Sequence, residues 1–275
     1  KAEKLCKAFM QKNPRHIEGM RLLADIGVRL GVLEDAEFLL ESAVEFSPSS
    51  TKARMDYIQV LRKQQKYHEA LSHAKVLIQQ DPKNPQFQSV FAVESMQSGD
   101  YDTALATFDS ILEILPEEPV TLTSRGNALK TQGNKEQAID SYRRAIKQYP
   151  AHGEAYYSLA NLKLFSFTDK EIEAMESQEH NPGISYMARI YLDFALGKAY
   201  EDRGEFDKAF SYYERGNSFK RSQSRYKSED ITSEFHAQMD VFSESFVEAN
   251  RGSGTRAADP IFIVGLPRSG STLLE

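Results

Sequence analysis

Residues 127 to 146 read Asn-Ala-Leu-Lys-Thr-Gln-Gly-Asn-Lys-Glu-Gln-Ala-Ile-Asp-Ser-Tyr-Arg-Arg-Ala-Ile. A helical stretch ends at Gly133, the residue type that ends helices in a left-handed conformation. A second helical stretch follows, carrying a small residue, Ala138, and a large one, Tyr142, one turn later. Pro150 closes the unit, because proline has no N–H to continue a helix. The same marks recur on both sides. Pro14, Pro48, Pro82, Pro116 and Pro150 are each 34 residues apart, and so are Ala2, Ala36, Ala70, Ala104 and Ala138. Gly31 and Gly99 stand in register with Gly133, and Leu40 and Phe108 with Tyr142. The alanine is expected where the second helix of each unit crosses closely over the first.

A 34-residue period with these marks resembles the tetratricopeptide repeat (TPR) family. Residues 1 to 13 supply only a second helix, which suggests a chain cut from something longer. Complete repeats are expected over about 17–50, 51–84, 85–118 and 119–152. A fifth begins at Gly153 with Tyr156, Leu159 and Ala160 and then loses the pattern. Thr168 with Glu171 forms a capping box that starts a new helix inside an irregular connector near 165–188. Gly197, Tyr200, Gly204, Phe206, Ala209 and Tyr213 restore a hairpin over about 186–222, out of phase with the first grid. The repeat region is therefore 1–222. Ile231, Phe235, Met239, Phe242 and Phe246 fall on one stripe, so a linking or capping helix is expected within 223–250, followed by a flexible linker at 251–258.

Composition narrows the classes. The chain is 40% hydrophobic and 27% charged with a net charge of −6, which does not suit a general nucleic-acid binder. No apolar run is long enough to span a membrane. With Cys6 alone, neither an intrachain disulfide nor a cysteine zinc site can form, which fits a reducing, cytoplasmic setting. None of the six histidines has metal-ligand spacing, so no metal is expected. Lys220, Arg221, Arg225 and Lys227 read as a solvated helix end.

Residues 259–275 differ from the rest. Ile261 to Val264 reads as a strand buried on both faces, and Gly265 and Gly270 bracket Leu-Pro-Arg-Ser. A nucleotide-binding loop of the G-x4-G-K-[ST] type would hold Lys where Ser271 stands. The stretch Ile-Phe-Ile-Val-Gly-Leu-Pro-Arg-Ser-Gly-Ser-Thr-Leu-Leu resembles the 5′-phosphosulfate loop of sulfotransferases that use 3′-phosphoadenosine 5′-phosphosulfate (PAPS). It is most similar to tyrosylprotein sulfotransferases and to bacterial proteins that fuse TPR repeats to such a domain. The Phe-Thr-Asp-Lys-Glu-Ile segment and residues 194–210 are similar to the connector of that fused family.

That resemblance implies an all-α TPR superhelix, a right-handed solenoid, followed by the first strand and phosphate loop of an α/β sulfotransferase domain. It implies that Arg268, Ser269, Gly270, Ser271 and Thr272 bind PAPS and that Arg268 stabilises developing charge. The family's general base lies beyond Glu275, so this chain is expected to lack it. The implied function is a PAPS-dependent sulfotransferase whose repeats recruit a protein or peptide acceptor. Two alternatives stand beside it: a non-enzymatic TPR interaction scaffold and a P-loop kinase-like nucleotide binder. In TPR arrays, first-helix residues line the inner groove. Here these include Arg21, Asp25, Arg29, Gln59, Arg62 and Lys63, and a peptide groove is expected at Asn127, Lys130, Tyr157 and Asn161. Asn127 and Asn161 are one repeat apart, as a ladder of amides for a peptide backbone would be.

Overall fold

The computed structural model describes residues 2–162, 165–224, 226–254 and 263–265. The chain divides into two compact units, Lys1–Lys220 and Arg221–Glu275. The first begins with a single helix, α1 (Ala2–Lys12). Four helix hairpins follow: α2 (Ile17–Leu30) with α3 (Leu33–Phe46), α4 (Thr51–Lys63) with α5 (Tyr67–Gln80), α6 (Pro85–Gln97) with α7 (Tyr101–Ile114), and α8 (Pro119–Thr131) with α9 (Lys135–Gln148). Next come the short α10 (Gly153–Ala160) and α11 (Asp169–Ser177), then a last hairpin, α12 (Tyr186–Asp202) and α13 (Phe206–Gln223). Neighbouring helices of the four hairpins contact one another in sequence order, and α2 also touches α4, as α6 touches α8 and α8 touches α10.

Each hairpin is built from the marks read in the sequence. Ala36, Ala70, Ala104 and Ala138 are all completely buried. The turn residue has a positive φ in every regular hairpin: 83° at Gly31, 87° at Gly99 and 86° at Gly133. The remaining turn has no glycine, yet Gln65 takes the same conformation at φ 61°. The repeat geometry there overrides the cost of left-handed backbone for a residue with a β-carbon.

Sixteen residues separate a buried position on each first helix from its partner on the second, and their sizes are complementary. Ala24 meets Leu40, Ala92 meets Phe108, and Ile58 meets Ala74, each pair within one core cluster. Where the second helix carries tyrosine, the first carries glycine. A β-carbon on Gly126 would lie 2.5 Å from Tyr142 Cε1, and one on Gly197 would lie 2.5 Å from Tyr213 Cε1. Large and small therefore trade places between the first and second hairpins.

The proline register organises the ends. The carbonyl of Pro48 accepts from Arg54 at 2.9 Å, that of Pro82 from Gln88 at 2.9 Å, and that of Pro116 from Arg144 at 2.8 Å. Two residues after each proline sits the N-cap of the next first helix. His16, Ser50, Asn84 and Glu118 each accept a backbone N–H through the side chain. His152 does not; its Nε2 bonds Thr123 Oγ1 at 2.8 Å. The expected capping box at Thr168 and Glu171 forms at the start of α11.

The second unit holds α14 (Ser228–Val241) and α15 (Glu244–Ala249). One continuous helix was expected here. The chain breaks it at Phe242, and Ser243 caps a new one by accepting from Phe246 N. Phe235, Met239 and Phe242 of the expected stripe are exposed.

The expected start of an α/β domain is corrected. Among the described residues every element is a helix, and Ile263, Val264 and Gly265 carry no strand. A doubly buried strand requires parallel neighbours on either side. Val264 is 89% exposed instead. Residues 261 and 262, and the loop residues Arg268, Ser269, Gly270, Ser271 and Thr272, lie outside the described residues.

Two measurements follow from these features. Ile58→Ala removes the large partner of one pair and should cost ~2–5 kcal/mol, while Ala74→Leu overpacks it and should cost ~1–3 kcal/mol. The double variant moves the bulk to the other helix, as in the first repeat, so its urea midpoint should lie well above the sum of the single losses. Separately, burial first and then the Arg54 guanidinium hold the His73 imidazole below its ordinary value, and Arg54 and His73 Nδ1 stand 2.9 Å apart. The folded state thus resists a proton that the unfolded state accepts, so stability is fully present above about pH 6.5 and falls as pH drops below it. Between pH 7.5 and 5.5 the urea midpoint should decline, with a slope of up to ~1.4 kcal/mol per pH unit for each such histidine. His152, also held down by burial, adds to the effect. His73→Gln, which keeps an acceptor for Arg54, should flatten the decline.

Candidate functional site

The first helices of the first two hairpins, α2 and α4, enclose a cleft of about 350 Å³. Its floor is Ala24, Val28, Leu40 and Val60, contributed by the 3.6-residue periodicity of α2 and α4 and by the second helix α3 behind them. Its other lining residues are polar apart from the exposed Leu22: Glu18, Arg21, Asp25, Asp56, Gln59 and Lys63. Four of the first-helix positions singled out from the sequence, Arg21, Asp25, Gln59 and Lys63, meet here.

These rim groups are not equivalent. Arg21 is fixed, donating from Nε to Asp56 at 2.6 Å and from a terminal nitrogen to Glu18 at 2.7 Å. Asp25 accepts from Arg29 one turn later at 2.9 Å. Gln59 and Lys63 are exposed, and Lys63 has no ion-pair partner among the described residues. The cleft thus combines an apolar floor, a fixed guanidinium held between carboxylates, and a free ammonium.

Arg62 does not share in this. Its Nε donates to Glu94 Oε1 of α6 at 2.7 Å, and a terminal nitrogen reaches the same oxygen. Glu94 is completely buried, and burial lifts its carboxyl above the usual range in spite of Arg62. The arginine is committed to the next repeat.

The expected peptide groove is spread over α8 and α10. Asn127 and Lys130 are half-buried on α8, Tyr157 is half-buried on α10, and Asn161 is exposed at its end. Asn127 Oδ1 accepts from the Tyr142 hydroxyl at 2.8 Å and from Ser158 at 3.4 Å. Asn161 donates its NH2 to the carbonyl of Tyr157 at 2.9 Å, so it serves its own helix end. One amide supports core packing and the other a helix terminus, so the two do not present the same face of the group. Tyr157 lies in a ring cluster that the sequence reading missed: its centroid is 5.1 Å from Tyr191 and 6.2 Å from Phe194, and Phe194 is 6.2 Å from Tyr213. The available signal was the spacing of Tyr191 and Phe194 on α12, three residues apart and in register with the inner face.

Comparisons with known proteins agree with this architecture. The model of the TPR domain of cytochrome c-type biogenesis protein H matches residues 7–121, and tetratricopeptide repeat models match residues 123–162 and 192–216. An uncharacterized protein of Aquifex aeolicus (strain VF5) is 23% identical over 97% of this chain and 40% of its own length. Tetratricopeptide repeat protein 6 of Homo sapiens is 29% identical over 44% of this chain and 23% of its own length. The chain thus spans less than half the length of these curated relatives. A solved tetratricopeptide repeat protein from Parabacteroides merdae superposes with a TM-score of 0.60 at 19% identity, covering 84% of this chain and 89% of that one. The chain is a tetratricopeptide-repeat protein, an all-helical repeat solenoid among its described residues.

The same findings correct the expectation of a sulfotransferase. The matching family models are repeat models that end at residue 216, and the solved structure shares the helical repeat fold. The fourteen residues 261–274 resemble the enzymes locally, and most of them lie outside the described residues. Among the described residues no helix is long and apolar enough to cross a membrane.

The assignment of Arg62 to the next repeat has a measurable consequence. Arg62→Ala leaves a buried carboxylate uncompensated and should lower stability by ~3–5 kcal/mol. Replacing both groups, Arg62→Leu with Glu94→Leu, should recover most of that loss in the same denaturation experiment.

Proposed function

We propose that this chain is an interaction scaffold that holds a short segment of a partner protein on the inner faces of α2 and α4. The observation that carries this reading is the cleft between those helices, with its apolar floor and charged rim. Binding sites for single anchoring side chains have this composition: apolar surface to remove an aliphatic or aromatic group from water, and a few polar groups to fix its orientation. The volume, about 350 Å³, suits one large apolar side chain and its flanking backbone. Lys63 supplies the one rim charge free to meet a carboxylate, so a segment with an acidic residue beside its apolar anchor fits best. Gln59 lies between these features and presents an amide to the backbone of the segment.

The repeat fold supports the same reading. First helices stacked side by side present a continuous inner surface, and each repeat adds side chains to it without altering its neighbours.

The test is selection from a random peptide library displayed on phage, followed by affinity measurements on the chain and two variants. Gln59→Trp fills the rim at an exposed position, and Lys63→Glu reverses the free charge. Enriched peptides should carry an apolar anchor next to Asp or Glu. Their affinity should fall by about tenfold or more in each variant, a change of ~1.4 kcal/mol, with melting behaviour unchanged. Selected peptides that bind both variants as tightly as the parent chain would place the binding surface elsewhere and overturn the assignment.

A further inference from the structure

A second cavity, of about 190 Å³, lies between α11, α12 and α13, and it is built differently. Asp193 interrupts the apolar run Ile190 to Leu196 of α12 and is 99% buried, with relative exposure of 1%. The same register of the regular repeats holds Met20, Arg54, Gln88, Leu122 and Tyr156. There the polar members have local tasks: Arg54 and Gln88 cap the carbonyls of Pro48 and Pro82. Asp193 has no proline to serve. Its Oδ1 accepts from Arg215 Nε at 2.9 Å, and Arg215 also reaches Glu179 at 2.7 Å. Its Oδ2 is buried and has no hydrogen-bond partner. Native structures rarely leave such an atom empty-handed, and a ligand or water is the usual explanation.

Arg189 is the second part of the site. It stands one helical turn before Asp193 on the same wall, half-buried, with no ion-pair partner among the described residues. Opposite charges at this spacing have β-carbons about 5–6 Å apart and ordinarily pair. Here Arg189 leaves Asp193 Oδ2 unpartnered, so both the acceptor and the cation are available to a third group. The remaining wall is mixed: Met175 from α11, Ile184, and Leu192 and Leu196 from α12 are apolar, and Gln178, Glu179 and His180 are polar. The cavity lining thus brings the Asp193 carboxylate, the Arg189 guanidinium and aliphatic surface together. Glu179 and Arg215 balance each other and leave the site without net charge, so a ligand bearing both signs is favoured over a simple cation or anion.

We propose that this cavity binds a free α-amino acid with an apolar side chain, its ammonium on Asp193 Oδ2, its carboxylate on Arg189 and its side chain against Met175, Ile184 and Leu196. The site is independent of the cleft between α2 and α4, and neither assignment rests on the other. Burial lifts the Asp193 carboxyl above the usual range against the pull of Arg215, and an ammonium docked on Oδ2 would reverse that.

The test is calorimetric titration and thermal melting of the chain with L-leucine, L-isoleucine, L-methionine and L-phenylalanine. Isopentylamine and 4-methylpentanoate, which carry one charge each, are the controls. At least one of the amino acids should bind and raise the melting temperature, with the amine and the acid about tenfold weaker or more. Arg189→Gln, at a half-buried position without an ion-pair partner among the described residues, should keep the fold and weaken binding by about tenfold or more. Asp193→Asn, which keeps an acceptor for Arg215 but removes the charge, should also weaken binding, at a cost in stability. Absence of binding at millimolar amino acid, which leaves a cavity filled by water, would overturn the proposal. So would binding that Arg189→Gln leaves unchanged.

Discussion

Two helices can lie side by side at a fixed distance only if the side chains between them fill a fixed volume, and in this protein that volume is divided differently in every repeat. Ala24 with Leu40, Ile58 with Ala74, Ala92 with Phe108 and Gly126 with Tyr142 each fill the same gap. The sum is conserved where the individual residues are not. Everything else in the first unit builds on that constancy. The inter-helix turn recurs because the helices end at the same height, and the prolines recur because the next first helix starts from the same place. The cleft between α2 and α4 exists because equal separations bring successive first helices into line.

Much of this was legible in the sequence, and the reasons are physical. A methyl at a helix crossing, a left-handed turn residue and a residue without an N–H are constraints of single positions, so they leave single-letter traces. Ala36, Gly31 and Pro48 are such traces. Gln65 shows the limit: its turn keeps the left-handed conformation without the glycine that announces it. The complementary pairs were half visible. Leu40, Phe108 and Tyr142 stood out, but Ile58 with Ala74 inverts the order, and an inversion is invisible until both helices are seen together.

The terminal segment misled for the opposite reason. A strand, a glycine-bounded loop and a helix start can be written in seventeen residues, but a strand is stable only through neighbours that its own sequence does not specify. The stripe from Ile231 to Phe246 reads as one continuous helix, but Ser243 is an N-cap that the stripe spans without a change of period. Among the site residues, the sequence found Arg21, Asp25, Gln59 and Lys63 by register alone. It did not separate Arg62, whose position on the helix is similar but whose charge belongs to Glu94. Register says which way a side chain starts; it does not say which partner claims it.

Gly153 adds a mechanical property to the array. A β-carbon there would lie 2.2 Å from the carbonyl oxygen of Ala188, so α10 and α12 meet backbone to backbone. The pairs Ala24 with Leu40, Ile58 with Ala74 and Ala92 with Phe108 meet instead through side chains, which absorb small displacements by shifting rotamers. A contact between two backbones has no such compliance. At this joint, where the regular period is lost, α10 passes a displacement to the last hairpin nearly undiminished. The coupling is this contact between α10 and α12, two helices that do not follow one another in the chain.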